Sequence, residues 1–237
     1  MKVCVLLLSL CAVPLLAFSA TEPGSAAVET AIVQKYTSAR NIQEVRLKAA
    51  SMDIDIQGEI PKLKKQGRFH ALRKISPVGL ISYERRHFEG DGTVKNQLIV
   101  RYLSAEARSR DEQAPSLAVT PANYRFKYKG RRALDGREAH LFQISPIKKR
   151  EGMFQGELWL DVDTCLPLRE SGSLVKKISV FVRKTAFVRT FEIHDGLSLP
   201  RQEQWEFQAV GVGKAELIVA FSNISLGESA SGELDNE

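Results

Sequence analysis

Cysteine is scarce in this chain. There are three in 237 residues, and two of them, Cys4 and Cys11, lie in the apolar stretch at the N-terminus. Once that stretch is removed Cys165 stands alone, so no intramolecular disulfide can form and the fold depends on its core. With Asp163 and Thr164 beside it and no histidine near it in sequence, Cys165 reads as a packed strand residue rather than a nucleophile. Reactive constellations are lacking as well. There is no Gly-x-Ser-x-Gly, no His-Glu-x-x-His and no P-loop. His70, His87, His140 and His194 fall on separate predicted strands without metal-ligand spacing. The sequence therefore implies neither an enzyme nor a cofactor. Long apolar runs are absent beyond residue 18, which excludes a later helical membrane span of roughly 20 residues.

The N-terminus has the opposite character. Met1-Lys2 is a short positive region, Val3 to Phe18 is almost wholly apolar, and Ser19 and Ala20 are small. Residues 1–20 thus read as a secretory signal peptide cut after Ser19 or Ala20. A run of about 16 apolar residues is short for an anchor. Lipid attachment at Cys11 is disfavoured, because Leu10 occupies the place of a small residue and the apolar run continues past the cysteine. The expected location is the periplasm, as an exported protein soluble after cleavage. Residues 21–226 form one domain, and the Gly-, Ser- and acid-rich segment 227–237 reads as a disordered tail.

Charge is unevenly placed. The chain carries +6; without Lys2 and the four acids of the tail, the body from Thr21 to Leu226 is near +9. Basic pairs such as Lys64-Lys65, Arg131-Arg132 and Lys176-Lys177, and the triplet Lys148-Lys149-Arg150, read first as solvated strand faces and turns. The sharper reading is attraction to an anionic membrane surface or an acidic envelope partner protein. Nucleic acid is disfavoured in an exported chain without a recognition module.

Periodicity supplies the fold. Ile32, Val33 and Tyr36 predict a helix over about 26–39, with Asn41 as its stop. Val45, Leu47 and Ala49 alternate with polar residues, and the alternation resumes out of phase at Met52, Ile54 and Ile56, so 44–58 reads as a bent strand or short hairpin. Strands follow over about 67–75 and 80–88. Val94, Leu98, Ile99, Tyr102 and Leu103 predict a helix over 93–107, capped by Asp91 or Thr93. Phosphate binding at Gly90-Asp91-Gly92-Thr93 is the lesser reading there. From Asn123 onward period two dominates, with turns at Asp135-Gly136, Gly152, Asp195-Gly196 and Gly211-Val212-Gly213.

Nine to eleven strands against two clear helices make an α+β, mostly β chain with a single large curved antiparallel sheet. Two helices cannot cover so many one-sided strands, which leads to an open half-barrel with a few covering helices and an apolar cavity. The candidate cavity lining, for ligand binding, is Tyr124, Phe126, Tyr128, Leu158 and Leu160, with Trp205, Phe207, Leu217, Val219 and Phe221. Catalytic and metal residues are not assigned.

With these elements in order, the chain resembles the LolA-like fold family of periplasmic lipoprotein-sorting carriers. The resemblance rests on the exported N-terminus, the opening helix, the 45–58 strand, the Gly90-Asp91-Gly92 loop into a helix, and Gly156-Glu-Leu-Trp-Leu-Asp161 followed by Thr164-Cys-Leu-Pro-Leu-Arg169. The last hairpin is also similar to part of the LolA-like domain of the envelope-stress regulator RseB. The resemblance implies a half-barrel closed by helices, holding acyl chains of a lipid or lipoprotein, in a transport or chaperone role. The alternative it implies is an RseB-like regulatory module that binds a partner protein.

Overall fold

The computed structural model describes residues 24–108 and 114–227. The expected signal peptide, and the expected tail beyond Gly227, lie outside the described residues. Ten strands are present: β1 (Ser51–Ile60), β2 (Lys65–Ile75), β3 (Ile81–Gly90), β4 (Tyr124–Leu134), β5 (Arg137–Pro146), β6 (Phe154–Asp161), β7 (Pro167–Leu174), β8 (Val182–His194), β9 (Leu197–Ala209) and β10 (Gly213–Ser225). They form one antiparallel sheet in the order β3-β2-β1-β10-β9-β8-β7-β6-β5-β4. From β4 to β10 the chain is a meander, and β10 then returns to pair with β1, with Ile54 opposite Phe221 and Ile56 opposite Val219. The outer strands β3 and β4 do not pair with each other, so the sheet is open, as the alternation implied.

That alternation sets the faces. Along β1, Met52, Ile54 and Ile56 are buried while Asp53, Asp55 and Gln57 turn toward solvent. The inward rows are covered by α1 (Gly24–Arg46) and by a second helical rod. The rod consists of α2 (Gly92–Val94), a π-helical turn (Lys95–Ile99) and α3 (Val100–Arg108), with right-handed helical backbone at both junctions. A single helical turn, α4 (Ala114–Leu117), follows. Asp91 caps the rod, its side chain accepting from the N–H groups of Thr93 at 2.7 Å and Val94 at 3.4 Å. The carboxylate thus occupies the position an exogenous phosphate would need.

Two readings of the N-terminal region require correction. The first helix does not stop at Asn41 but runs to Arg46. Tertiary anchors carry it on: Gln43 exchanges hydrogen bonds with the Ser198 backbone at 3.0 and 2.9 Å, and Arg46 donates to the Asp195 carbonyl at 3.2 Å. Residues 44–58 are accordingly not one bent strand. The helix ends, the chain turns through Ala49 at φ 61°, and β1 begins at Ser51. The change of phase marks a helix-to-strand boundary, and three alternating residues are too few to separate the two periods.

Two apolar clusters fill the space beneath the helices. Under α1, Ile32, Val33 and Tyr36 pack with Tyr124, Phe142, Leu158 and Phe187. Under the second rod, Val94 and Ile99 pack with Ile54, Ile56, Leu217 and Val219. Trp205 touches both clusters. Cys165 is buried in the first, in the β6–β7 turn rather than in a strand, with φ 57°. Among the described residues no helix is long and apolar enough to cross a membrane.

Close approach of backbones governs one further site. Gly156 on β6 lies opposite Gly172 on β7, and a Cβ added at Gly156 would stand 1.9 Å from the Ser171 carbonyl oxygen. Only glycine fits there. Gly156→Ala must push the two strands apart, and we expect it to lower stability by roughly 2 kcal/mol, the range for overpacked sites. Urea unfolding of the variant checks this, with Gly92→Ala, where an added Cβ meets nothing within 4 Å and φ is not left-handed, as the comparison.

Candidate functional site

All ten expected lining residues lie in the two clusters or against them. Tyr124, Leu158, Leu160, Leu217 and Val219 are buried, and Phe126, Tyr128, Trp205, Phe207 and Phe221 are partly buried. They pack mainly against the helices and one another. Phe126 meets Tyr36 and Phe142 with ring centroids 6.1 and 6.0 Å apart, and Tyr128 donates to or accepts from His140 Nδ1 at 2.9 Å. Phe221 borders open space.

That space is a cavity of about 240 Å³ between the C-terminal ends of α1 and α3 and the sheet. Gln43 contributes from α1, Leu47 from the turn that follows it, Glu106 from α3, and Met52, Ile75, Phe191, Pro200 and Phe221 from the strands. Its remaining wall is charged. Arg189 on β8 lies 3.4 Å from Glu170 of β7 and 3.4 Å from Glu203 of β9. Its guanidinium covers the rings of Phe187 and Trp205, at 4.7 and 5.2 Å from their centroids. Glu203 also accepts from Trp205 Nε1 at 2.8 Å and from the Tyr102 hydroxyl at 3.2 Å. A second group lies across the cavity. Arg73 donates to Glu106 at 3.0 Å, and the Tyr83 hydroxyl donates to the same carboxylate.

The apolar rows of the sequence do not disclose these groups. Arg73, Glu170, Arg189 and Glu203 occupy inward positions of otherwise regular strands, so each breaks the alternation by a single residue. Such breaks are the available signal. Read singly they look like bulges or exposed positions, and their partners lie on other strands.

Burial and charge act against each other here. Burial raises the Glu170 carboxyl above the ordinary glutamate value, the nearby Arg189 offsets part of the rise, and Glu203 adds to it. Burial alone would lower Arg189, but the facing Glu203 and Glu170 carboxylates hold it protonated. Burial drives Tyr102 well above its ordinary range, reinforced by Glu106 and Glu203, so its hydroxyl remains a donor. Elsewhere, burial and then Arg131 lower His140, and burial raises Cys165. His70 and His87 face each other across β2 and β3, yet among the described residues no group of three or more histidine, cysteine or acidic side chains is placed to hold a metal.

The tyrosines and arginines also tie the helices down. Tyr102–Glu203 and Glu106–Arg73 link α3 to β9 and β2, and Gln43–Ser198 links α1 to β9. Losing one partner of a pair as buried as Arg73 and Glu106 costs about 3–5 kcal/mol. The helices are therefore held at the cavity by these directional contacts, and elsewhere by apolar packing joined by the Tyr36–Val119, Glu29–Tyr128 and Lys65–Thr93 hydrogen bonds.

No protein-family model matches the sequence, and neither does any curated protein. Solved structures do resemble it. A DUF1329 family protein from Desulfovibrio piger matches at 14% identity with a TM-score of 0.50, over 84% of this chain and 93% of its own. A LolA superfamily protein from Nitrosomonas europaea matches at 11% identity and TM-score 0.40, over 84% and 94%. The complex of MucA and MucB from Pseudomonas aeruginosa supplies a chain matching at 11% identity and TM-score 0.26, over 82% and 95%. Likeness at this level concerns the fold alone. The structure itself shows the open, helix-covered sheet.

The raised Glu170 value has a consequence for stability. The folded protein holds a proton there that the unfolded chain releases at the ordinary value of 4.5. The stability contributed is complete below that pH and is lost as pH rises through the folded value. We expect Glu170→Gln to flatten this part of the profile. Measured by thermal unfolding, the wild-type Tm should fall relative to that of the variant as pH increases from 4.5 toward neutrality.

Proposed function

We propose that this protein is a periplasmic carrier of lipid or lipid-modified cargo. The observation that carries the reading is the covering of the concave sheet face by two separate helical elements, with a cavity where their ends meet. About 240 Å³ is below the roughly 300–1,000 Å³ typical of ligand sites. Cargo must therefore displace a helix. The second rod is the element to move, because apolar packing against cluster two is what an acyl chain can replace, and its polar contacts to the sheet are gathered at its two ends, Tyr102 and Glu106 at one and the Lys65–Thr93 and Lys65–Asp91 contacts at the other. Burying about ten methylenes supplies on the order of 8 kcal/mol, which exceeds the roughly 3–5 kcal/mol of a broken buried pair. Of the ten apolar residues named above, Trp205, Phe207, Leu217, Val219 and Phe221, which belong to or pack against the cluster under that rod, would then line the opened face.

A second reading has its own support. The charged wall of Glu170, Arg189 and Glu203, and the tight packing of the aromatic residues, suit a filled core that works through its surface, as an envelope module binding a partner protein. Uptake of acyl probes separates the two. We expect native mass spectrometry to show one palmitate-sized ligand bound per chain, and Glu106→Gln, which weakens the α3 clasp, to raise uptake several-fold. Absence of uptake in both proteins would remove the carrier reading and leave the interaction module.

A further inference from the structure

The two ends of the sheet differ in chemistry. At one end lie the β1–β2 turn (61–64), the β5–β6 loop (147–153), the β7–β8 loop (175–181) and the β9–β10 turn (210–212). Backbone pairing makes them neighbours. The Val210 N–H donates to the Phe181 carbonyl at 2.8 Å, the Val175 N–H to the Met153 carbonyl at 2.9 Å, and Lys62 Nζ to the Gly211 carbonyl at 2.8 Å.

Three of these four connections are strongly basic. The β1–β2 turn holds Lys62 and Lys64, the β5–β6 loop holds Lys148, Lys149 and Arg150, and the β7–β8 loop holds Lys176 and Lys177, against Glu151 as the one acid of the four. They are also greasy. Val180 is 82% exposed and Phe181 69%, and Leu63, Ile147, Ile178 and Val210 on the same rim are exposed as well. At the other end, the turns 135–136, 162–166 and 195–196 each carry one aspartate and no base. Val78 and Leu80 are exposed there too, but their loop, 76–80, holds no charged residue.

Apolar tips ringed by lysines fit one environment on both counts. An anionic bilayer offers headgroup charge to the lysines and, a few ångströms deeper, acyl chains to Val180 and Phe181. An acidic protein surface would satisfy the lysines while leaving protruding valine and phenylalanine without a matching hollow. We propose that this rim docks the protein on an anionic phospholipid surface, with the β7–β8 loop inserted at the headgroup boundary. The cavity between α1 and α3 lies at the opposite end of the sheet and faces away from the bilayer, free for exchange with another molecule. The inference does not depend on the cargo reading.

Vesicle flotation tests it, using the protein purified from its own host and vesicles of phosphatidylethanolamine and phosphatidylglycerol, with pure phosphatidylcholine as the neutral control. Binding is expected to the anionic vesicles alone and to weaken with added salt. At about fivefold per lysine, the equivalent of roughly 1 kcal/mol each, Lys176→Gln with Lys177→Gln should reduce affinity on the order of 25-fold. Val180→Ser with Phe181→Ser should reduce it at least tenfold. Both substitutions lie in an exposed loop, so an unchanged Tm confirms that the fold is intact, and unchanged uptake of soluble acyl probes separates docking from cargo binding. No flotation with anionic vesicles at low salt, equal binding to neutral vesicles, or full binding by both variants would each overturn the proposal. Capture by an acidic protein without vesicle binding would assign the rim to that partner instead.

Discussion

Everything in this fold depends on the pairing of β10 with β1. The meander from β4 to β10 and the three-stranded unit β1–β3 are separate along the chain, and this one ladder makes them a single sheet. It places Ile54 and Ile56 beside Phe221 and Val219, so the inward apolar rows continue across the join. Without it each part would expose an additional strand edge and half of a hydrophobic face. With it, one concave surface results, and the helices have something continuous to cover.

Covering that surface sets up a contest between apolar packing and buried charge. Most of the inner face is occupied by aromatic and aliphatic side chains in two clusters, joined through Trp205. Where the helices end, arginines of the sheet instead pair with carboxylates of neighbouring strands and of α3. Buried ion pairs contribute little net stability compared with well-packed apolar residues, but they are directional. They hold the helix ends at fixed positions on the sheet while leaving a small polar gap between them. A seam of this kind can come apart along a defined line, which a uniformly greasy core cannot do.

The two ends of the sheet divide the surface in a comparable way. Basic and apolar side chains gather on the loops at one end, aspartate turns and the cavity at the other. Because neighbouring strands in a meander alternate in direction, every second connection falls at the same end. A chain can therefore concentrate one chemistry on a rim by placing similar residues in every other loop. The dispersed lysine pairs of the sequence become a single patch by this route.

The sequence by itself determined which apolar rows face inward, where most of the turns fall, and that the strands number about nine to eleven. Each of those is a local matter of period-two alternation and of glycine or aspartate at turns, as in Tyr124-Phe126-Tyr128 and Asp195-Gly196. The cap of the second helical rod was legible for the same reason, since Asp91 acts on N–H groups two and three residues away. The extent of the first helix was not, because Gln43 and Arg46 are anchored by residues about 150 positions distant. Nor was the polarity of the cavity. Glu170, Arg189 and Glu203 sit on three successive strands, and Arg73 meets Glu106 from a helix. Only the tertiary structure decides whether an inward charge is a fault in a strand or one half of a pair, because its cost is set by what stands opposite.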